Sequence, residues 1–547
     1  MGFLQDAPQL AHPYRDDRLL IALLDRVLPQ ERRAALAADL DALGDYALMA
    51  FERSRHSTRR KPVLTQWDAW GRRVDHVELT TAWLEGPGLT TRHGILASGH
   101  QAHEFARLEE FARAYVYHVA SEFYTCPLAM TDGAATALKA SGNRALIDRA
   151  LPHFLSREAG QFWLSGQWMT ENPGGSDVGN TETVARQDAQ GHWRLYGRKW
   201  FSSAVVGEAA LALARPGDAG GGAASLALFY VETMNGSERK PELVIDRLKD
   251  KLGTHELPTA EIHLEGLPAW PVGELANGVR QIAPMLNITR TWNAIGAVAS
   301  MARAVSLARD YARRRHAFGR PLLEHPLHAQ TLADMQAEFE GAFALVFEVA
   351  HLLGRVEQGA ASPDEAASLR LLTPLVKLWT GKMAVRLCSE ALECFGGAGY
   401  IEDTGLPPLL RDAQVYPIWE GTTNVLSLDS LRALGSHDGF AALRKLIGHW
   451  LKPAHNTPAS FTVHAALDAT AMHLDERKLD RPTLEAGARG VAFTLARCAA
   501  AALLARQDAW STPRGDKRPS AALRRFLGHG LLRLSDIDGE DTRLLLE

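Results

Sequence analysis

A change of hydrophobic period within one chain constrains this sequence more than any other feature. Near the N-terminus apolar residues recur at helical spacing, as in Leu19, Leu20, Leu23, Leu24 and Val27. Between about 166 and 277 the texture becomes short apolar runs at 184–186, 193–196, 211–214, 226–231 and 260–264, parted by Gly, Pro and Asp. Runs of that length with turn residues between them read as strands. From Gly278 long helical periodicity returns, over 282–314, 327–358, 362–395 and 419–434. Four long helices with modest connections predict an antiparallel bundle.

The expected fold is mainly α with a central β domain. Its parts are an N-terminal arm and helical domain (1–165), a middle β domain sized for a small barrel (166–277), a helical bundle (278–434) and an additional helical domain (435–547). The first part is read as an arm followed by helix and, over 63–165, as mainly helical, with loops around Gly86-Pro87-Gly88 and Thr131-Asp132-Gly133 and an amphipathic helix over 105–123. The Arg59-Arg60-Lys61-Pro62 stretch breaks the pattern.

Composition excludes several classes of function. Sixty basic against 64 acidic residues leave a net charge of −4 on 547 residues, so global charge argues for neither nucleic acid nor a membrane surface. Four cysteines, Cys126, Cys388, Cys394 and Cys498, form no CxxC pair, which argues against a disulfide framework or a zinc knuckle. The start Met-Gly-Phe-Leu-Gln-Asp-Ala-Pro has neither a basic nor an apolar leader region, and the expected location is cytoplasmic. The apolar run 491–504 is interrupted by Thr494 and Arg497 and falls short of a membrane span. His100 and His103 are spaced to share a helix face, but no carboxylate or thiolate at ligand spacing completes a set, and no metal is expected.

One turn in the β region stands out. Residues 169–177 read Met-Thr-Glu-Asn-Pro-Gly-Gly-Ser-Asp. Gly174 and Gly175 let the backbone turn tightly and approach a ligand, while Thr170 and Ser176 offer hydroxyls. Alone, this is a turn between strands. Four further stretches follow it: Lys199-Trp200-Phe201-Ser202, Arg315-His316-Ala317-Phe318-Gly319, Phe395-Gly396-Gly397-Ala398-Gly399-Tyr400, and Ile418-Trp419-Glu420-Gly421-Thr422-Thr423-Asn424. In this order and spacing the five resemble the acyl-CoA dehydrogenase family of flavoproteins over about 105–434. Within it they are similar to the AidB branch of alkylation-response relatives, which carries an extra C-terminal helical region.

The resemblance implies FAD as cofactor, an acyl-CoA-like substrate, and removal of an α proton and a β hydride. It places the catalytic base on Glu420. An apolar cleft beside Trp419 suits a carboxylate that takes a proton. Read alone, Glu420 is a glutamate at a helix N-terminus, favoured there by the helix dipole. One branch of the family carries its base just before an arginine in the first bundle helix. The matching pair here is Thr289-Arg290, and threonine cannot act as that base.

For the flavin, the resemblance assigns Met169 and Thr170 to its edge, Ser176 to the pyrophosphate, Trp200 against the isoalloxazine, and Ser202 beside it. Trp419, Thr422 and Asn424 would meet the cofactor next to the base. Arg315 and Phe318 would reach the pyrophosphate and adenine of a neighbouring subunit's FAD, with Gly396 and Gly397 admitting backbone to the same cofactor. A homotetramer built as a dimer of dimers is therefore expected. Three positions depart from the common family pattern: Asn172 for proline, Pro326 for a glutamine that serves the adenine, and Trp419 for tyrosine.

The AidB branch also implies double-stranded DNA as a partner. Residues 435–547 hold 16 Lys/Arg and 13 Asp/Glu, with a basic tract at Arg514, Lys517, Arg518, Arg524 and Arg525. Such a tract either contacts phosphates or forms a solvated face. The sequence thus supports two readings, an acyl-CoA dehydrogenase-like enzyme or a DNA-binding flavoprotein of the alkylation-damage response with weak turnover.

Overall fold

A computed structural model describes residues 6–55, 61–217, 219–435, 439–478, 480–535 and 539–547. The chain forms two compact units. One comprises Met1–Phe51, Ala102–Val119 and Asn293–Glu547, and the other Glu52–Gln101 and Ala120–Trp292.

The second unit carries the sheet. Its strands are β1 (Val63–Trp67), β2 (Arg73–Glu78), β3 (Ser165–Trp168), β4 (Val184–Gln187), β5 (Trp193–Ser202), β6 (Ala209–Pro216), β7 (Ala227–Glu232), β8 (Met234–Asn235), β9 (Glu238–Arg239), β10 (Leu243–Leu248) and β11 (Ala260–Pro271). Following the ladders, β11 pairs β5, β5 pairs β4, β4 pairs β6, β6 pairs β7, and β7 returns to β11. This closed ring is a small barrel, with β10 and β3 flanking it on β11 and β6. Its interior holds Trp168, Leu195, Phe229, Ile245, Ile262 and Leu267. Fully burying side chains of this size contributes about 1.5–3 kcal/mol each. The alanines of β6 at 210, 212 and 214 also face the core.

Three expectations for the first 165 residues are corrected. β1 and β2 form a hairpin where helix was expected. Leu64 and Val77, paired across the hairpin, face the barrel core, and burial alternates along β1 and over Asp75–Glu78 of β2. The buried Asp75 carboxylate accepts a bond from Ile245 N (2.9 Å), and Arg73 donates to Ile245 O (2.6 Å), which docks the hairpin on β10. The two expected loops are instead inside helices Thr81–His93 and Thr125–Ser141. Their glycines serve packing rather than turns. A Cβ on Gly86 would lie 2.4 Å from the Tyr124 ring, and one on Gly133 would lie 2.6 Å from Met285 Cγ. Nor do His100 and His103 share a helix face, since residues 100–105 form bends and a turn.

The first unit is helical. The expected amphipathic helix is Ala106–His118, and all of its residues are buried, so it has no solvent face. Its charges are matched: Arg107 with Glu110 (2.8 Å) and Glu357 (2.6 Å), Glu109 with Arg32 (2.6 Å), and Arg113 with Asp39 (2.8 Å). Around it run Pro326–Glu357 and Pro363–Cys394, the latter opened by a capping box of Ser362 and Glu365. The last predicted bundle helix starts later than expected, at Thr423 rather than Trp419. In the C-terminal region, Arg481–Ser511 includes a window of mean hydropathy 1.4, long and apolar enough to cross a membrane, yet 83% of that window is buried within the protein. Arg497 within it pairs with Glu338 at 2.9 Å, as suits a core helix rather than a membrane span.

Candidate active site

Two of the five stretches are locked together in the β unit. β3 delivers the chain into the turn at 169–177, and β5 ends in Lys199-Trp200-Phe201-Ser202. Trp200 N donates to Thr170 O at 2.9 Å. Alongside, the buried Lys199 ammonium lies 2.5 Å from Glu171 Oε1 and 2.7 Å from Leu213 O. Burial pushes the lysine pKa down, and Glu171 opposes that shift. The Glu171 carboxylate also accepts from Glu182 N (2.6 Å) and Thr183 Oγ1 (2.6 Å). The turn closes on itself through Glu171 and Gly174, where a Cβ would meet Asp177 O at 2.5 Å.

This arrangement leaves Met169 and Thr170 half-buried and Ser176 exposed. Gly175 folds back so that a Cβ there would lie 3.3 Å from Thr170 Cγ2. One face of the Trp200 ring carries the Lys249 ammonium, 3.3 Å from the ring centroid. Ser202 Oγ is buried with no hydrogen-bond partner among the described residues. An unmet buried hydroxyl beside Trp200 is costly unless a ligand satisfies it, and a flavin edge has the acceptors to do so. These residues fit FAD.

The other three stretches belong to the helical unit. Trp419 N and Ile418 N both donate to Val415 O, at 3.0 and 2.9 Å, and so form a tight turn. Glu420 then takes φ +56° and Gly421 φ +103°. A left-handed glutamate is uncommon and costs about 1–2 kcal/mol, and such residues concentrate at functional sites. Glu420 therefore stands ahead of the Thr423–Gly435 helix and outside it. Trp419 and Glu420 are half-buried, and Thr422 and Asn424 are exposed. Lys377, in Pro363–Cys394, donates to Gly421 O at 2.5 Å.

That same helix ends at the glycine stretch. Gly396 (φ +58°) and Gly397 are exposed, and a Cβ on either meets nothing within 4 Å. Tyr311 stacks edge-on against Phe395 at 5.2 Å and so ties the glycine stretch to the end of Gly278–Arg314. There Arg315 is half-buried, and Phe318, at φ +51°, is 97% exposed. Pro326 occupies the first turn of the next helix, where its missing N–H is tolerated.

The basic tract is partly used internally. Arg518 pairs with Asp516 (2.8 Å) and Arg525 with Asp334 (2.7 Å), while Arg514 lies over the Trp510 ring at 4.3 Å. Lys517 and Arg524 are exposed. The histidines considered for metal have other partners: His100 meets Asp132 (2.8 Å) and Lys139 (2.9 Å), and His103 meets Arg32 (2.5 Å). Sequence reasoning assigned no role to Glu171, Lys199, Lys249 or Lys377. The available signal was a lone charge in an apolar setting, as in Leu375-Val376-Lys377-Leu378-Trp379.

Successive parts of the chain match the adaptive response protein AidB N-terminal domain (residues 7–159), the acyl-CoA dehydrogenase middle domain (166–267) and the acyl-CoA dehydrogenase C-terminal domain (276–435). Acyl-CoA dehydrogenase family member 11 of Caenorhabditis elegans is 41% identical over 525 residues, covering 92% of this chain and 85% of that protein. The chain belongs to the acyl-CoA dehydrogenase family. Within that family it is AidB-like, since AidB of Escherichia coli (strain K12) is 35% identical over 400 residues, 71% of this chain and 72% of AidB. The crystal structure of Caenorhabditis elegans ACDH-11 in complex with C11-CoA superposes with a TM-score of 0.93 at 38% identity, covering 100% of this chain and 96% of that one. Acyl-CoA dehydrogenases are FAD-dependent flavoproteins, and this member is an acyl-CoA dehydrogenase-type flavin oxidoreductase.

Proposed function

We propose that this protein dehydrogenates a coenzyme A thioester at its α and β carbons, with Glu420 as the base. The half-buried Glu420, set on a left-handed residue ahead of its helix and within the matched C-terminal dehydrogenase domain, carries the reading. The ACDH-11 complex with C11-CoA supports the substrate class. Glu420 takes the α proton onto a carboxylate oxygen, and Trp419 beside it bounds the space for the acyl chain. FAD, when bound, supplies the hydride acceptor. Thr170, Trp200 and Ser202 would hold its reactive end, with Met169 and Ser176 flanking, while Thr422 and Asn424 follow the base in the helical unit.

Phe318, Tyr400 and Leu327 are 97%, 89% and 81% exposed in the single chain. A second copy covering them, and taking Arg315, Phe318, Gly396 and Gly397 to its own flavin, is the assembly this reading requires. The DNA-binding alternative has only Lys517 and Arg524 as exposed members of its tract without an ion pair or ring contact described above. Anaerobic bleaching of the bound flavin by a panel of acyl-CoAs tests the proposal. Glu420→Gln is expected to slow bleaching by about 10²–10⁴-fold while flavin stays bound. Bleaching by no acyl-CoA, together with salt-sensitive retention of duplex DNA, would favour the alternative.

A further inference from the structure

The Glu420 turn is gripped at both ends by one face of a single helix. In Pro363–Cys394, Lys377 and Gly381 are four residues apart and so lie one above the other. Gly381 receives the start of the turn: a Cβ there would lie 3.0 Å from Tyr416 C, Tyr416 O and Pro417 N. Lys377 holds its end through Gly421 O at 2.5 Å. Tyr416 is anchored from the other side, its hydroxyl 2.8 Å from both Ser300 Oγ and His118 Nε2. Gly296 allows this approach, since a Cβ there would lie 3.1 Å from His118 and 3.2 Å from Tyr416. The ends of the 416–421 segment are therefore fixed, and Glu420 is the strained residue inside it.

Lys377 has 0% exposure, and one bond of its buried ammonium goes to the Gly421 carbonyl. We infer that Lys377 is a positioning residue: by holding the Gly421 carbonyl one turn of helix away from Gly381, it keeps the Glu420 carboxylate in its left-handed, proton-accepting orientation. Lys377 acts through the Gly421 peptide in this scheme, and the inference rests on Glu420 being the base. Its effect is on geometry, so it should appear in the chemical step and not in substrate affinity.

The test is single-turnover flavin reduction by a saturating acyl-CoA, using flavin-loaded full-length protein. Lys377→Met, which keeps the aliphatic stem, is expected to slow reduction by about 10–100-fold and to leave acyl-CoA Kd within about two-fold. The Lys377→Met/Glu420→Gln double variant is expected to be no slower than Glu420→Gln alone, a coupling that general loosening of the fold would not produce. If Lys377→Met fails to retain flavin, Gly381→Ala carries the test. It displaces the turn from the opposite end without touching the buried charge, and the same rate loss at unchanged Kd is expected. Full reduction rate in Lys377→Met or Gly381→Ala beside a slow Glu420→Gln overturns the positioning role alone. So does a double variant that loses the product of both effects. Full rate in Glu420→Gln instead overturns the base reading beneath it.

Discussion

Two turns in this protein are each held by one buried lysine, and they are held differently. At 169–177 the Lys199 ammonium reaches the side chain of Glu171, which in turn bonds Glu182 and Thr183. That lysine belongs to β5, so the turn becomes part of the barrel. At 416–421 the Lys377 ammonium reaches the turn's own backbone at Gly421. The first connection is an ion pair between two desolvated charges, where loss of one partner strands the other. The second fixes the peptide beside one side chain, and its consequence is orientation. The 169–177 turn is thus tied to stability, and the 416–421 turn to geometry.

The largest expected effect probes the first half of that contrast. Lys199→Met leaves the Glu171 carboxylate buried without its cation and should destabilise the β unit by about 3–5 kcal/mol. Adding Glu171→Leu should recover most of the loss. Urea denaturation of the wild type, the single and the double variant measures it, and a Lys199→Met protein as stable as wild type would break the comparison.

A second prediction concerns acid sensitivity beneath the base-side turn. His118 is buried among Tyr416, Ser300, Arg303 and Asp412. Burial first, then Arg303, pushes its pKa from 6.5 down to about 4, with Asp412 opposing. Between those values the unfolded chain binds a proton that the folded one refuses, so stability rises with pH through that window and falls on acidification. The contribution is complete above about pH 6.5 and amounts to about 3 kcal/mol. Denaturation midpoints at pH 7 and pH 4.5 should therefore converge in His118→Gln relative to wild type. An unchanged pH slope would remove His118 from this account.

The smallest effect sharpens the cofactor side. Ser202→Ala removes a buried hydroxyl that has no partner among the described residues, so the flavin-free protein should gain about 1 kcal/mol while flavin retention weakens. Thermal melting with and without added FAD separates the two, and equal flavin retention would exclude Ser202 from the cofactor's contacts.

Much of the architecture was legible because period reports burial. The strands at 184–187 and 209–216 were readable as short apolar runs bounded by turn residues, and the long helices from their apolar spacing. The hairpin at 63–78 was missed although burial alternates along Val63–Trp67, because its two short strands lie among helices. Gly86 and Gly133 were read as turns, since the sequence does not show that Tyr124 and Met285 occupy the space a Cβ would take. The helix Ala106–His118 was read as amphipathic because its charges imply a wet face, whereas Arg107, Glu109 and Arg113 find ion-pair partners. Among the candidate site residues, motif order singled out Thr170, Trp200 and Glu420, but not the lysines that hold their turns.

The sequence by itself determined the fold class and the family resemblance, since hydrophobic period and motif order are local properties. Only the tertiary structure decided that Glu420 takes a left-handed backbone ahead of its helix and that Lys199 and Lys377 fasten the two turns. Those outcomes depend on which groups meet across long sequence separations, where a buried charge must find its partner or not be buried at all.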